Sequence, residues 1–256
     1  MLQLQRERII ERPSPNFNVG RQRWTPDIIV CHITDGHFPG SVNWVTNPAS
    51  QVSYHYMVSQ AGEVFQCVDI KNTAWANGTA NSGGNNDNRN SLLAAVRDRM
   101  VNANLYTVSI GFEGRHLYTR GAMSPKQLEA AVQLVCHIRA EIFRIWGMEV
   151  PLDRKHIVSH TDIAPRWRPN CPGSKFPFDE IIQKAQLACL QKEKSVFVSG
   201  HIPDTWAADA WAWAMTELRM DGTRPRDNMT RQEVMTLLYR LYKLQSESEE
   251  LQCDIS

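Results

Sequence analysis

The sequence has no run of eighteen apolar residues. A helix needs about that length to cross a bilayer core, so no membrane-spanning helix is expected. Its opening residues, MLQLQRERIIERPSPN, lack the apolar stretch of a secretory signal, which implies synthesis in the cytoplasm without a leader. Cysteines are six in 256 residues, at 31, 67, 136, 171, 189 and 253. Their spacing is not that of a disulfide framework, and most should be small buried residues in a reduced chain. Charge of either sign is also missing in excess. A net charge of +1 gives no argument for nucleic acid or for an anionic membrane surface as a partner. What remains is ordinary globular composition, 42% apolar and 21% charged, in a chain long enough for one sizeable domain and a small one.

In chain order, residues 1–26 contain Pro13, Pro15 and Pro26 and suggest an extended arm with little regular structure. Ile28 to Ile33 is a β-branched run suited to a strand buried on both faces, with His32 near its end. Ser41 to Asn47 suggests a helical turn stopped by Pro48. Val52 to Val58 predicts a strand, returning through a turn at Gln60–Glu63 as Val64 to Val68. Simple alternation along it puts Tyr54 and Tyr56 on one face. From Asn72 to Asn90 the chain is dense in Asn, Gly and Ser, a long polar loop of the kind that lines a site or simply covers surface.

Leu92 to Val101 predicts a short helix, and Tyr106 to Glu113 alternates as a strand ending in a carboxylate. Ser124-Pro125-Lys126-Gln127 opens the clearest helix, with Ser124 as cap, Gln127 completing a capping box and Gly147 ending it. His156 to His160 forms a short strand with both histidines on one face, and Phe178 to Gln191 a closing helix. Strands alternating with helices indicate an α/β domain over residues 1–190.

The stretch with chemistry in it is Ser159-His160-Thr161-Asp162-Ile163-Ala164-Pro165, running through Arg166-Trp167-Arg168-Pro169-Asn170 to Cys171-Pro172-Gly173. Imidazole and thiolate both suit zinc, and two prolines restrict the loop that joins them. A catalytic zinc needs a third protein ligand and an open position. The local motif leaves that third ligand undecided.

Four pieces in order resemble one family: His32 at a strand end, VSYHYMVSQAGEVFQCVD, SIGFEG, and SHTDIAP…CPG. Together they resemble the type-2 N-acetylmuramoyl-L-alanine amidases, a zinc-dependent family acting on bacterial peptidoglycan, over roughly residues 24–190. The resemblance implies a central mixed β-sheet flanked by α-helices, with zinc on His32, His160 and Cys171. It also implies Glu113 as general base and Tyr54 beside the zinc, where it would orient the water or the carbonyl. Many members carry a lysine two residues before the last ligand. Here that position is Pro169, so the oxyanion contact falls to Arg168 or Arg166, unless both are surface arginines. Trp75 and the polar loop are expected along the groove. His37, His55, His116 and His156 are read as structural, with His156 the one expected near the ligands.

The implied reaction is zinc-dependent hydrolysis of the amide between N-acetylmuramic acid and L-alanine, causing wall lysis as in an endolysin or autolysin. The substrate is then the muramyl peptide of peptidoglycan. The alternative is a non-catalytic peptidoglycan-recognition protein, but such members typically lose the cysteine ligand, and Cys171 is present. With no leader in view, release to the wall by a holin or by lysis is expected. Residues 191–200 suggest a linker. Residues 201–244, with Trp206-Ala207-Ala208-Asp209-Ala210 and Asp221-Gly222-Thr223-Arg224-Pro225, resemble a single S-layer-homology helix pair, which implies contact with a cell-wall polymer, a dimerisation element or a packing extension of the catalytic domain, the first being the favoured expectation. An acidic tail, 245–256, is expected to be disordered.

Overall fold

The computed structural model describes residues 9–78 and 88–198, together with positions 213 and 238. The C-terminal helix pair and acidic tail inferred from the sequence, and residues 79–87 of the Asn/Gly loop, lie outside these residues. The chain divides into two units, residues 1–188 and 189–256. Everything below concerns the first.

Six strands form one mixed sheet: β1 (Ile9–Glu11), β3 (Ile28–Ile33), β4 (Tyr56–Val58), β5 (Val64–Gln66), β7 (Thr107–Phe112) and β8 (Ile157–Ser159). Their order is β1-β5-β4-β7-β3-β8. The β4–β5 pair is the antiparallel hairpin expected around Gln60–Gly62, whereas β4, β7, β3 and β8 run parallel. A second, two-stranded sheet pairs β2 (Phe17–Asn18) with β6 (Thr73–Ala74).

The parallel strands β3 and β7 are buried nearly throughout, which is why β3 reads as a continuous apolar run, while β7 alternates because its second face buries the small residues Thr107, Ser109 and Gly111. One face of the sheet packs Ile29, Cys31, Val108 and Ile110 under α3 (Pro125–Trp146) and α5 (Phe178–Val198). The other face is covered in two patches. One forms around Val30, Tyr106 and α2 (Ala94–Arg99), the other around Met57, Phe65 and α1 (Gly40–Val45). His32, which shares the face of Ile28 and Val30, belongs to neither.

Ser124 caps α3 by accepting from Gln127 N at 3.1 Å, and Gly147 ends it at φ +68°. The reciprocal half of the capping box does not form. Gln127 is fully buried, and its amide donates to Val58 O and Glu113 O, while Ser124 N donates to Gln60 Oε1. Helix α5 runs on to Val198, into the stretch assigned as linker, and no proline or glycine falls between Phe178 and Gly200 to stop it.

From Ile9 on, the N-terminal arm carries regular structure, contrary to expectation. Its β1 pairs in parallel with β5, from Ile9↔Val64 to Glu11↔Gln66. Arg21 is 4% exposed, and its Nη1 donates to the carbonyls of Asn104, Leu105 and Thr107 at 3.0–3.2 Å. A buried guanidinium is tolerated only when such acceptors surround it, so the arm is anchored by its most polar residue.

The strand predicted from Val52 begins only at Tyr56. Opposite His55 the returning strand bulges, since both Cys67 N and Val68 N donate to His55 O. Tyr54 lies before β4, beyond a bend at His55, so strand alternation does not reach it. Tyr56 enters the α3 side of the core, while Tyr54 packs on the α1 side with Met57.

Candidate functional site

His32 is the penultimate residue of β3, Glu113 follows β7, and His160 follows β8. All three lie at the carboxyl ends of parallel strands, the edge where open α/β sheets place ligands.

His160 opens a helical turn, α4 (His160–Ile163), instead of ending the strand with His156. The cause is a capping box: Ser159 Oγ accepts from Asp162 N, and Asp162 Oδ2 accepts from Ser159 N, both at 2.8 Å. Arg154 Nη2 holds the same carboxylate at 3.0 Å. The loop beyond is closed by Thr161, whose N–H donates to Cys171 O at 3.0 Å. Thr161 Oγ1 also donates to Arg168 O and Cys171 O at 2.6 and 2.8 Å. Residues eleven apart in sequence are thereby folded back on one another.

These constraints bring His32 Nδ1 and His160 Nδ1 to 3.0 Å, although 128 positions separate them. Cys171 Sγ accepts from Ile33 N at 3.4 Å, and the ligand atoms of His32, His160 and Cys171 all lie within 4.8 Å of one another. Both histidines are buried, at 1% and 4% exposure. His160 Nε2 lies 3.0 Å from Asn77 O. A carbonyl only accepts, so the proton sits on Nε2 and Nδ1 presents a bare lone pair. His32 Nε2 has no partner among the described residues.

Burial holds His32 well below the usual histidine range, reinforced by the charges of His160 and Arg168. Burial likewise depresses His160 to about 4, against an opposing contribution from its Asn77 hydrogen bond. Both rings are therefore neutral, the form that binds a metal. Burial pushes the Cys171 thiol up to about 11, opposed by the Ile33 N–H and by Arg168. A cation would remove that proton outright. Tetrahedral zinc with bonds of about 2.0–2.1 Å keeps two nitrogen ligands about 3.3 Å apart. The histidine pair already has nearly that spacing, so the residues fit zinc.

Tyr54 stands over the site, its ring centroid 5.0 Å from that of His32. Burial raises its phenol well above the ordinary value, so it is a neutral O–H. The open cleft above the ligands, of about 660 Å³, is lined by Tyr54, Trp44, Trp75, Trp167, Arg168 and the ligand residues His160 and Cys171, among others. Arg168 lines it and Arg166 does not. Arg168 Nη1 donates to Trp167 O at 2.8 Å.

Glu113 lies in an adjoining cleft of about 570 Å³, with His37 lining both. Its side chain is 13% exposed, with His37 Nδ1 3.9 Å from Oε1. Oε1 accepts from Phe38 N at 3.0 Å and Oε2 from Gln60 N at 2.7 Å. Its carbonyl accepts from Gln60 Nε2 and Gln127 Nε2. The carboxylate is thus held rigidly, with lone pairs to spare.

Of the histidines read as structural, His55 is one: buried, with Nδ1 accepting from Ser109 N at 3.0 Å. His156 is not near the ligands. Its Nδ1 bonds Asp153 Oδ1 at 2.7 Å. The histidines that do line the ligand cleft are His37 and His116, the latter 3.0 Å from both Asp35 carboxylate oxygens. Sequence reasoning also passed over Trp44 and Trp167. Trp44 carried a signal, since Val42 and Val45 mark the buried side of its helical turn.

Three comparisons bear on the site. A family model described as N-acetylmuramoyl-L-alanine amidase matches residues 22–174, well over half of the chain. Among curated proteins, N-acetylmuramoyl-L-alanine amidase A of Achromobacter lyticus is 30% identical over 67 residues. That match spans 26% of this chain and only 38% of the relative's length. Among solved structures, the Se-Met AmpD derivative aligns at 20% identity and a TM-score of 0.47 over 72% of this chain and 99% of that one. AmiD from E. coli, in complex with anhydro-N-acetylmuramic acid-L-Ala-D-gamma-Glu-L-Lys, aligns at 20% identity and a TM-score of 0.44, covering 84% and 79%.

Proposed function

Since this chain belongs to the N-acetylmuramoyl-L-alanine amidase family, we propose that it hydrolyses the amide between the lactyl group of N-acetylmuramic acid and L-alanine in bacterial peptidoglycan, with zinc on His32, His160 and Cys171. The observation that carries this reading is the convergence of two neutral imidazoles and a thiol, of which His160 and Cys171 line an open cleft. When bound there, zinc supplies Lewis acidity toward a carbonyl and lowers the pKa of water to about 7.

The chain's own residues do the rest. Asn77 O fixes the His160 tautomer through Nε2, and the Ser159–Asp162 capping box fixes the ring's position. Tyr54, as a neutral donor beside His32, orients the scissile carbonyl or the attacking water. Arg168, on the cleft wall, stabilises the negative charge that develops on the carbonyl oxygen as the water oxygen adds to the carbonyl carbon, before the C–N bond breaks. Glu113 takes the proton of the attacking water and returns one to the departing amino group of L-alanine. Its two backbone N–H bonds keep the carboxylate in place while leaving lone pairs free. A lytic role at the cell wall, as in an endolysin or autolysin, follows from the same bond. Among the described residues no helix is long and apolar enough to cross a membrane.

Incubation with purified peptidoglycan, followed by identification of the released ends, tests the bond. New amino groups on L-alanine without new reducing sugars are expected. New reducing ends, or new amino groups on any other residue, contradict the proposal.

A further inference from the structure

We propose that His37 carries the proton from Glu113 to the departing amino group of L-alanine, as a second acid–base residue of the hydrolysis. The assignment rests on the proposed reaction and supplies the residue that completes its return of a proton.

Glu113 and the ligand residues open onto different clefts. His160 and Cys171 line the larger one, and Glu113 lines the adjoining one with Gln60, Arg115 and Lys175. Among the described residues, His37 alone lines both. Its Nδ1 lies 3.9 Å from Glu113 Oε1, and its side chain is 76% exposed. A small ring rotation closes that distance to a hydrogen bond, and catalytic contacts are often this loose before substrate arrives.

The backbone builds the pairing. Gly36, before His37, bridges to Gly114, after Glu113. Phe38, after His37, donates its N–H to Glu113 Oε1 at 3.0 Å. His37 O accepts from Ser41 N at 2.9 Å, which ties the same segment to the first turn of α1. His37 is thus held at Glu113 from both sides while its ring stays open to the clefts. His116 also lines the larger cleft, but its Nδ1 faces both Asp35 oxygens at 3.0 Å, and it does not line the Glu113 cleft.

The proton count closes. Glu113 holds the proton taken from the attacking water. Its O–H gives that proton to His37 Nδ1 while His37 Nε2–H gives another to the leaving nitrogen. The C–N bond then breaks with its electron pair on nitrogen. Glu113 is left ionised and the imidazole neutral, and the exposed ring regains its starting tautomer by exchange with solvent. A carboxylic acid is a stronger acid than an imidazolium, and an imidazolium than an α-ammonium group, so both transfers run downhill.

Two substrates read this role in the zinc-loaded full chain. N-Acetylmuramoyl-L-alanyl peptide has an amine that leaves only when protonated, whereas the p-nitrophenyl ester of N-acetylmuramic acid releases a phenolate that needs no proton. His37→Gln should lower kcat on the amide about 10²-fold and on the ester only about threefold, with zinc content kept. Glu113→Gln, which removes the base, should lower both strongly. Added imidazole should recover about tenfold of the amide rate lost by His37→Ala, which a structural role would not allow. Full amide activity of His37→Gln, or equal losses on amide and ester, overturns the role of His37 and leaves the reaction standing. A wild-type chain that cleaves neither substrate overturns the proposed reaction and the role of His37 with it.

Discussion

Gly111 leaves room for Tyr54. A Cβ built at Gly111 would meet the Tyr54 ring at 2.7 and 2.8 Å, and Gly111 is the β7 partner of His32 in the parallel ladder. The missing side chain on one strand is what lets the tyrosine lie against the histidine of the next. Gly111→Ala should therefore destabilise the fold by about 1–3 kcal/mol and reduce hydrolysis while zinc content is kept. Urea denaturation alongside metal analysis reads both. An unchanged midpoint with full activity would show that the Tyr54 position is immaterial.

Gln60 and Gln127 act on Glu113 from both sides. Each donates its amide to Glu113 O, and Gln60 N also holds Oε2. Glu113→Gln should retain zinc and lower kcat by about 10²- to 10⁴-fold, the range of a general acid–base group. Gln60→Leu, which keeps the carboxylate but removes one amide clamp, should produce a smaller loss on the order of tenfold. Steady-state kinetics on a muramyl-L-alanyl peptide separates the two. Full activity of Glu113→Gln would remove it from the chemistry.

Asp162 closes the capping box that starts α4 at His160. Asp162→Ala should lower stability by about 1 kcal/mol and weaken zinc binding about 10- to 100-fold, as losses behind a ligand do. Competition with a chromophoric chelator measures the affinity. An unchanged zinc affinity would mean that the loop positions His160 without its cap.

Arg21 ties the N-terminal arm to the sheet through carbonyls of Asn104, Leu105 and Thr107. Arg21→Met leaves those acceptors unsatisfied and should cost about 3 kcal/mol or more, read as a lower urea midpoint. A loosely attached arm would show no change.

Strand β3, and with it His32, was legible because both-face burial writes a continuous β-branched run into the sequence, and β7, with Glu113 after it, because its apolar residues alternate. The capping of α3 by Ser124 was legible for a similarly local reason. The arm was not, since β1 and β2 are three and two residues long and exist only through pairing with distant partners. Tyr54 was placed on the wrong face because a bend at His55 separates it from β4, so local alternation does not extend to it. Gln127 was read as a cap when its amide was needed in the core. The turn at His160 could have been found, since Ser159 and Asp162 stand three apart in a capping pattern. The residues of the second cleft, such as Arg115 and Lys175, carry no sequence period that would connect them.

The central claim is that His32, His160 and Cys171 are one zinc site. Elemental analysis by mass spectrometry of the purified full chain tests it most directly, with Cys171→Ser and His160→Ala measured alongside. About one zinc per chain is expected, falling to a small fraction in both variants while circular dichroism keeps the wild-type helix and strand signal. Folded variants that retain full zinc, or a wild-type chain that takes up no zinc at all, would contradict the account.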